Sequence, residues 1–339
     1  MAASSGWERR RALGLGLVVL ALVVAGALLL TRQPTPSAGP GPAQSQTAAA
    51  PSSTGAPGTA GATSPGSTAG AGSTPGVVLV GAGDIASCAS DGDTATAKLL
   101  DGIAGIVFTL GDNAYERGTN AEFRRCYGPT WGRQLSRTMP TPGNHDYGTP
   151  NGAGYFRYFG AAAGDPAKGW YAYDAGTWRV YVLNSNCADI GGCEAGSAQE
   201  RWLRQDLAEN PRSCVLAMWH HPRFSSGLHG NNPITQPLWE ALYKAGADLI
   251  LNGHDHTYER FAPQTPTGAA DPEHGIVEMV VGTGGRSHYD FPTIRDNSLV
   301  RDNTTFGVLR LVLASGGWSF QFIPAAGGTF TDSGGGTCH

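Results

Sequence analysis

Five short segments of this chain, four of them apolar runs, each end in a turn that carries polar side chains. Runs of this length suit buried strands, whereas helices need longer stretches. Segments with a helical pattern follow some of them, at about residues 94–103, 121–135 and 236–245. Strands that alternate with helices and end in polar clusters predict an α/β fold whose functional site lies at the carboxyl edge of the sheet. The five segments are residues 77–80, 105–110, 138–142, 214–219 and 247–251.

The middle of the chain predicts additional β-structure. Residues 170–174 and 178–184 alternate in polarity around Gly176, which indicates a hairpin. Ser197, followed three positions later by Glu200, predicts a capping box at the start of the next helix. Further strands are predicted at residues 275–281, 306–314 and 318–323, and loops at 148–164 and 290–303.

The polar residues after the five predicted strands include side chains that bind metal ions. No member is informative alone, because an aspartate after a strand often caps a turn and a single histidine is often a surface group. Together they place carboxylates, a phenol, an amide and imidazoles at one sheet edge, which are the donor types of a dinuclear metal site. They are Asp84; Asp112 with Tyr115; Asn144 with His145; His220; and His254 with His256.

The motifs GDIA, GDNAY, GNHD, HHP and GHDHTYER occur in that order and resemble those of the calcineurin-like metallophosphoesterases. Within that superfamily the chain is most like the purple acid phosphatases. Many relatives have a metal-binding histidine two residues after the first aspartate, where this chain has Ala86, and Tyr115 supplies an aromatic ligand instead. The run TYER after the last histidine is also like theirs. The resemblance covers residues 77 to about 285.

This resemblance implies a fold and a ligand set. The fold is an α/β/β/α sandwich of two mixed sheets flanked by helices, with a dinuclear metal site at the carboxyl ends of the strands. One site would hold Fe(III) and the other Fe(II), Zn(II) or Mn(II), and the spacing to Pro222 selects His220 over His221. The implied ligands are Asp84, Tyr115 and His256 for Fe(III), Asn144, His220 and His254 for the divalent ion, and Asp112 bridging the two.

The resemblance also implies an activity, the hydrolysis of phosphate monoesters by attack of a metal-activated hydroxide, as in acid phosphatases. His145 would stabilise charge at the phosphate or protonate the leaving group, and His229 would assist. A trivalent iron and a protonated His145 predict activity that peaks on the acid side. A phosphodiesterase or nucleotidase could use the same metals. A non-catalytic surface binding domain is a further alternative, which the full set of ligands disfavours.

A dinucleotide-binding site is another alternative, since residues 81–86 match the pattern G-x-G-x-x-A. That motif needs a helix to open directly after its second glycine, whereas residues 87–93 resemble a loop. The formal net charge of −4 argues against nucleic acid as the main partner. The sequence does not indicate an oligomeric state.

The N-terminal part predicts export. A cluster of arginines precedes a charge-free apolar run at residues 12–30, long enough to span a bilayer and oriented with the following residues outside the cytoplasm. Either an uncleaved anchor or a cleaved signal peptide fits this run, so the protein would be membrane-anchored or secreted. The predicted division is an N-terminal signal or anchor (residues 1–31), a disordered Ala/Gly/Pro/Ser/Thr-rich linker (32–76) and a catalytic domain (77–339).

Six cysteines in an exported chain favour disulfides. Cys187 and Cys193 flank a short glycine-rich loop and are the most plausible pair. The other four allow several pairings, among which Cys88 with Cys126 and Cys214 with Cys338 is one choice. Cys214 could also be a buried free thiol, because it begins an apolar run.

Overall fold

The computed structural model describes residues 76–339. The predicted anchor at residues 12–30 lies outside these residues, as does nearly all of the predicted linker. Among the residues that are described, no helix is long and apolar enough to cross a membrane.

The described residues form two mixed sheets and five α-helices. The helices are α1 (Gly92–Gly102), α2 (Asn120–Glu122), α3 (Ala153–Phe159), α4 (Ala198–Glu209) and α5 (Gln236–Lys244). The strands are β1 (Val77–Ala82), β2 (Ile106–Thr109), β3 (Thr138–Met139), β4 (Tyr171–Ala175), β5 (Trp178–Val182), β6 (Val215–Met218), β7 (Leu249–Asn252), β8 (Tyr258–Phe261), β9 (Val277–Val281), β10 (Ser298–Asp302), β11 (Gly307–Ala314), β12 (Gly317–Pro324) and β13 (Ser333–Thr337).

The strand orders confirm the predicted architecture. One sheet has the order β13-β12-β11-β1-β2-β3, and β1, β2 and β3 run parallel within it. The other has the order β10-β8-β9-β7-β6-β5-β4, and β5, β6, β7 and β9 run parallel. Parallel strands bring their carboxyl ends to the same edge, so the loops after β1, β2, β3, β6 and β7 can meet there.

Side-chain alternation explains why the strands have unbroken apolar sequences. Leu249 and Leu251 of β7 belong to the larger core, which contains residues of both sheets. Ile250, between them, belongs to a second core with Trp239 and Leu242 of α5. Successive residues of a strand point to opposite faces, so a sheet covered on both faces needs apolar residues throughout. The run at residues 247–251, predicted to be a buried strand, is therefore buried on both faces.

One predicted helix is wrong, because the segment is interrupted. Residues 121–135 do not form a single helix: α2 passes into a wider turn at Phe123–Tyr127, and a separate tight helix follows at Trp131–Arg137. Pro129 lies at the break, where its missing N–H cannot continue the hydrogen-bond ladder. Two segments predicted as loops contain regular structure, α3 and β10.

The predicted capping box at α4 is half right. The Oγ atom of Ser197 accepts a hydrogen bond from the main-chain N–H of Glu200, as predicted. The carboxylate of Glu200 instead accepts from the N–H of Gly196 at 2.8 Å, because the N–H of Ser197 is already bonded to the carbonyl of Glu194. The hairpin β4–β5 with Gly176 in its turn is confirmed.

All six cysteines are paired in disulfides. The bond between Cys187 and Cys193 is confirmed, and Cys214 is not a free thiol. The remaining bonds join Cys88 to Cys126 and Cys214 to Cys338, as in the pairing chosen above.

A buried glutamate holds the loop that follows β6, residues 219–232. Glu278 of β9 is fully buried, and its carboxylate accepts hydrogen bonds from the main-chain N–H groups of Arg223 at 3.0 Å and Phe224 at 3.2 Å. Both N–H groups therefore have a partner inside the protein, where an unpaired donor would be costly.

Two further buried carboxylates hold the same loop closer to its tip. Glu259 of β8 accepts from the N–H of Ser226 at 2.8 Å, and Asp255 accepts from the N–H of His229 at 2.9 Å. The loop that carries His229 is thus attached to the sheet at several main-chain positions.

Glu278→Gln is expected to change how stability depends on pH. Burial raises the pKa of Glu278 well above its ordinary value, although the N–H groups of Arg223 and Phe224 oppose the shift. The folded chain then keeps a proton that the unfolded chain releases above about pH 4.3, so the free energy of unfolding falls as pH rises toward the folded pKa, by at most about 1.4 kcal/mol per pH unit. A glutamine cannot titrate, so this fall should be absent from the variant.

Urea unfolding between about pH 5 and about pH 7 measures the effect. Glu273→Gln, at an exposed glutamate, is the matched control and should follow the wild type. Parallel curves of unfolding free energy against pH for wild type and Glu278→Gln would contradict a raised pKa at Glu278.

Candidate metal centre

The side chains predicted from the sequence meet at one edge of the sheets. Asp84 lies two residues after β1, and His220 and His254 lie two residues after β6 and β7. Asp112 and Tyr115 follow β2, and Asn144 and His145 follow β3.

Three of these residues have main-chain φ angles in the left-handed region, which residues other than glycine seldom adopt. The angles are 60° for Asp84, 49° for Asp112 and 71° for His254. In the described part of the chain five non-glycine residues have positive φ, so three of those five lie here. Backbone strain of this kind concentrates at functional sites, where the surrounding structure holds it.

Two glycines leave the space that the donor groups occupy. Gly111 has a φ of 87°, and a Cβ atom there would lie 2.4 Å from Nδ1 of His220. At Gly143 a Cβ atom would lie 2.2 Å from Oδ1 of Asp112. Any larger residue at either position would displace a donor side chain.

The first donor group surrounds the Tyr115 hydroxyl. The Oη atom of Tyr115 lies 2.9 Å from Oδ1 of Asp84, 3.1 Å from Oδ2 of Asp112 and 3.1 Å from Nε2 of His256. All four side chains are buried. The structure therefore brings together the three residues predicted for one metal with the predicted bridging aspartate.

The second donor group surrounds the His220 ring. The Nε2 atom of His220 lies 3.0 Å from Oδ1 of Asn144, 3.2 Å from Nδ1 of His254 and 3.3 Å from Oδ2 of Asp112. The same Asp112 oxygen thus belongs to both groups, between Tyr115 on one side and His220 on the other.

The hydrogen bonding of His220 shows that this second group suits a cation. Its Nδ1 atom donates to the carbonyl oxygen of Leu110 at 2.7 Å, so in the neutral ring Nε2 carries a lone pair. That lone pair faces oxygen lone pairs of Asp112 and Asn144, an arrangement that is repulsive without positive charge. Burial lowers the pKa of His220, but the Asp112 carboxylate, Asp84 and the Leu110 carbonyl together outweigh burial and raise the pKa to about 9. The donors fit a metal ion, which would supply that charge.

The first group suits a more strongly polarising cation. Burial, followed by the charges of Asp112 and Asp84, raises the pKa of Tyr115 well above its ordinary value. Only a strong Lewis acid would displace the phenolic proton at neutral pH. Phenolate and carboxylate oxygens are hard donors that match such an ion, whereas the amide and imidazoles of the second group match a divalent one.

The two histidines predicted to act on the substrate lie at the rim of the site. The Nδ1 atom of His145 lies 2.6 Å from the carbonyl oxygen of Glu116, which can only accept, and its Nε2 atom lies 3.9 Å from Oδ2 of Asp112. His229 is exposed, and its ring stacks on that of His254 with centroids 4.2 Å apart.

His221 lies beside the donors but has a different environment from His220. Its Nδ1 atom is 2.8 Å from Oγ of Ser185, and its ring lies 4.4 Å from that of His254. Burial, and then the charge of His220, lowers the pKa of His221 to about 3, so the ring is neutral. Sequence reasoning did not assign a role to Ser185.

Sequence reasoning also missed a buried carboxylate that joins two donor loops. Asp146 accepts hydrogen bonds from the main-chain N–H groups of Asn113 and Gly143 and from the amide of Asn113. It thereby fixes the loops that carry Asp112 and Asn144. Its place in the motif GNHD was the available signal.

Aromatic and hydroxyl neighbours of His256 were missed as well. The ring of Tyr289 stacks on His256 with centroids 3.9 Å apart and planes 10° apart, and Oγ of Ser287 lies 2.7 Å from its Nδ1 atom. Both belong to a loop without periodic pattern, so the sequence held no signal for them.

Comparison with known proteins relates the chain to phosphoesterases. The family model described as calcineurin-like phosphoesterase matches residues 78–258. Purple acid phosphatase 15 of Arabidopsis thaliana is 26% identical over 62% of this chain and 45% of its own length. Acid phosphatase type 7 of Danio rerio is 27% identical over 52% of this chain and 47% of its own length. The chain thus spans less than half the length of either relative.

The fold is also similar to that of solved structures. A purple acid phosphatase from yellow lupin seeds superposes with a TM-score of 0.63 and 21% identity, covering 76% of this chain and 53% of the other. An inner membrane complex anchor of Plasmodium superposes with a TM-score of 0.58 at 13% identity, covering 76% of this chain and 88% of the other. Identities this low speak for the fold alone. The family match extends over more than half of the sequence and includes both donor groups, so the chain belongs to the calcineurin-like phosphoesterase family.

Proposed function

We propose that this protein is an exported, metal-dependent phosphoesterase that hydrolyses phosphate monoesters, as acid phosphatases do. One observation carries the proposal: two sets of donor atoms, of different chemical character, converge on one buried oxygen of Asp112. A carboxylate oxygen shared by two donor sets would hold two metal ions close together, as phosphoryl transfer catalysed by two metals needs. The similarity to purple acid phosphatases supports the choice of reaction.

The proposed ligands divide between the two ions. Fe(III) would be held by hard oxygen donors, and Fe(II), Zn(II) or Mn(II) by an amide and imidazoles. When bound, the ions supply Lewis acidity toward the phosphoryl group and make a nucleophile available from water. The ligands are Asp84, Tyr115 and His256 for the first ion, Asn144, His220 and His254 for the second, and Asp112 for both.

His145 is proposed to act on the leaving group. Its Nδ1 atom is occupied by the Glu116 carbonyl, so its Nε2 atom is the one available to the substrate. Its main-chain N–H also donates to Oδ1 of Asp112 at 2.8 Å, which fixes the ring beside the bridging carboxylate. As an imidazolium it would stabilise charge on the phosphate or donate a proton to the departing oxygen. His229, whose ring stacks on that of His254, would assist.

Export is part of the proposal. Three disulfides in the described residues are typical of proteins outside the reducing cytoplasm. The apolar run at residues 12–30 would serve as signal or anchor, and residues 32–76 as the linker to a catalytic domain of residues 77–339.

The reaction is tested with the monoester 4-nitrophenyl phosphate against the diester bis(4-nitrophenyl) phosphate, because both release the same leaving group. We expect the iron-loaded protein with zinc or manganese to favour the monoester and to be most active at acid pH. His145→Ala should lower kcat by about 100-fold or more. Preference for the diester, or a rate that rises steadily into the alkaline range, would contradict the proposal.

Iron bound by Tyr115 predicts a visible phenolate-to-Fe(III) charge-transfer band. Tyr115→Phe should abolish the band because the ligand oxygen is lost. Tyr173→Phe is the matched control. Tyr173 also has a buried hydroxyl, but in the described structure that hydroxyl has no hydrogen-bond partner. Absorption spectra of the three proteins check this. A colourless wild type that is fully active with zinc or manganese would refute the iron assignment and leave the phosphoesterase reaction intact.

Alanine substitutions of the two histidines of the GHDH motif should remove different metal ions. His256→Ala is expected to lose iron and its colour, whereas His254→Ala should lose mainly the divalent ion, because their rings belong to different donor groups. Elemental analysis with absorption spectra measures both effects, and the exposed His274→Ala serves as control. Equal loss of both metals in both variants is the contradicting result.

A further inference from the structure

Each histidine of the GHDH motif is covered by a second aromatic ring. Tyr289 stacks on His256, with centroids 3.9 Å apart. His229 stacks on His254, with centroids 4.2 Å apart. The two covering rings meet edge to face, 5.6 Å apart at an interplanar angle of 70°. They form a continuous aromatic surface beside both donor groups, called here the aromatic shelf.

The Tyr289 ring is held in place by its main chain. Its N–H donates to the carbonyl of His256 at 3.2 Å, and its carbonyl accepts from the side-chain amide of Asn303 at 3.0 Å. The residue is only partly buried and belongs to neither apolar core. An ordered aromatic ring that is not part of a core offers its free surface to a ligand.

The two loops that carry the shelf rings also carry exposed apolar side chains. Leu228, next to His229, is 57% exposed, and Ile294 is 51% exposed. Their two loops are joined by Arg295, whose N–H donates to Oγ of Ser226 at 2.9 Å. Exposed apolar groups collected beside a polar site mark a surface for binding.

The charged groups beside Tyr115 and Tyr289 do not suit a leaving group that carries additional phosphates. The guanidinium of Arg286 lies over the Tyr115 ring, 5.1 Å from its centroid, but is paired with the carboxylate of Glu116. Asp290, which follows Tyr289, is exposed and negative. On that side of the site a second anionic group would therefore meet a neutralised cation and a carboxylate, whereas the guanidinium of Arg295, on the other loop, donates its Nε–H to the carbonyl oxygen of Ser225 at 3.1 Å.

We propose that the aromatic shelf binds the leaving group of the substrate, and that the preferred esters are monoesters whose leaving group is an aromatic ring. This inference rests on the proposed function, since it names the substrate class for the same site. The phosphate would lie at the metal centre and the ring of the ester against Tyr289 and His229. Offset or edge-to-face contact with these rings, with apolar contact to Leu228, would stabilise an aryl group more than an alkyl chain.

The test compares phenyl phosphate with ethyl phosphate. Phenoxide is a better leaving group than ethoxide, so a higher kcat/KM for the phenyl ester alone decides nothing; the contribution of the shelf is the part lost in Tyr289→Leu, which should lower the phenyl-to-ethyl ratio about 3- to 10-fold. A change in metal content scales both rates alike, so the ratio isolates the contact with the leaving group. Tyr289→Phe should keep the ratio, because it keeps the ring. Tyr243→Leu, at a partly buried tyrosine of α5, is the matched control.

Binding of phenylphosphonate and methylphosphonate to the metal-loaded protein, measured by calorimetry, gives a second readout that does not depend on turnover. Tighter phenylphosphonate binding that Tyr289→Leu removes supports the shelf even if neither ester is hydrolysed, in which case only the proposed function fails. Hydrolysis of both esters with a ratio unchanged in Tyr289→Leu overturns this inference and leaves the proposed function standing. If neither ester is hydrolysed and phenylphosphonate is not preferred, both this inference and the proposed function are overturned.

Discussion

The structure of the site depends on one buried oxygen, Oδ2 of Asp112. It lies 3.1 Å from the Tyr115 hydroxyl and 3.3 Å from Nε2 of His220, so two chemically different donor groups share it. A carboxylate so buried needs positive charge nearby, and without a cation the protein meets that need by raising the pKa of His220 to about 9. Two metal ions would meet it better, because each donor group then has a cation of suitable hardness.

The rest of the fold serves this arrangement. Both sheets place parallel strands side by side, so that loops from each reach the same edge. The loops achieve the short distances by strained conformations at Asp84, Asp112 and His254, which Asp146 and the main chain around it help to hold. On the other side, Glu278, with other buried carboxylates, attaches the His229 loop to the sheet. Strain at the donors is thus offset by rigid support beneath them.

The sequence predicted which strand ends meet at the site, for a physical reason. The division of the donors between two metal ions was implied only by the family resemblance, and it stays a prediction. Unbroken apolar runs identify strands buried on both faces, and a polar side chain directly after such a run has few places to go except the sheet edge. Sequence reasoning failed where a local signal was passed over, as at Pro129 inside a helical pattern, or where no pattern exists, as for Tyr289 in a loop without periodicity. Asp146 was visible in its motif, but its bonds to Asn113 and Gly143 depend on contacts that only the folded chain makes.

The central claim is that Asp112 lies between two metal ions, and anomalous X-ray scattering from crystals of the metal-loaded protein tests it most directly. Data collected at the iron edge and at the edge of the second metal should show two peaks about 3.5 to 4 Å apart. The iron peak should lie beside Tyr115 and the other beside His220, with Oδ2 of Asp112 between them. A single peak, or metals bound away from Asp112, would contradict the account.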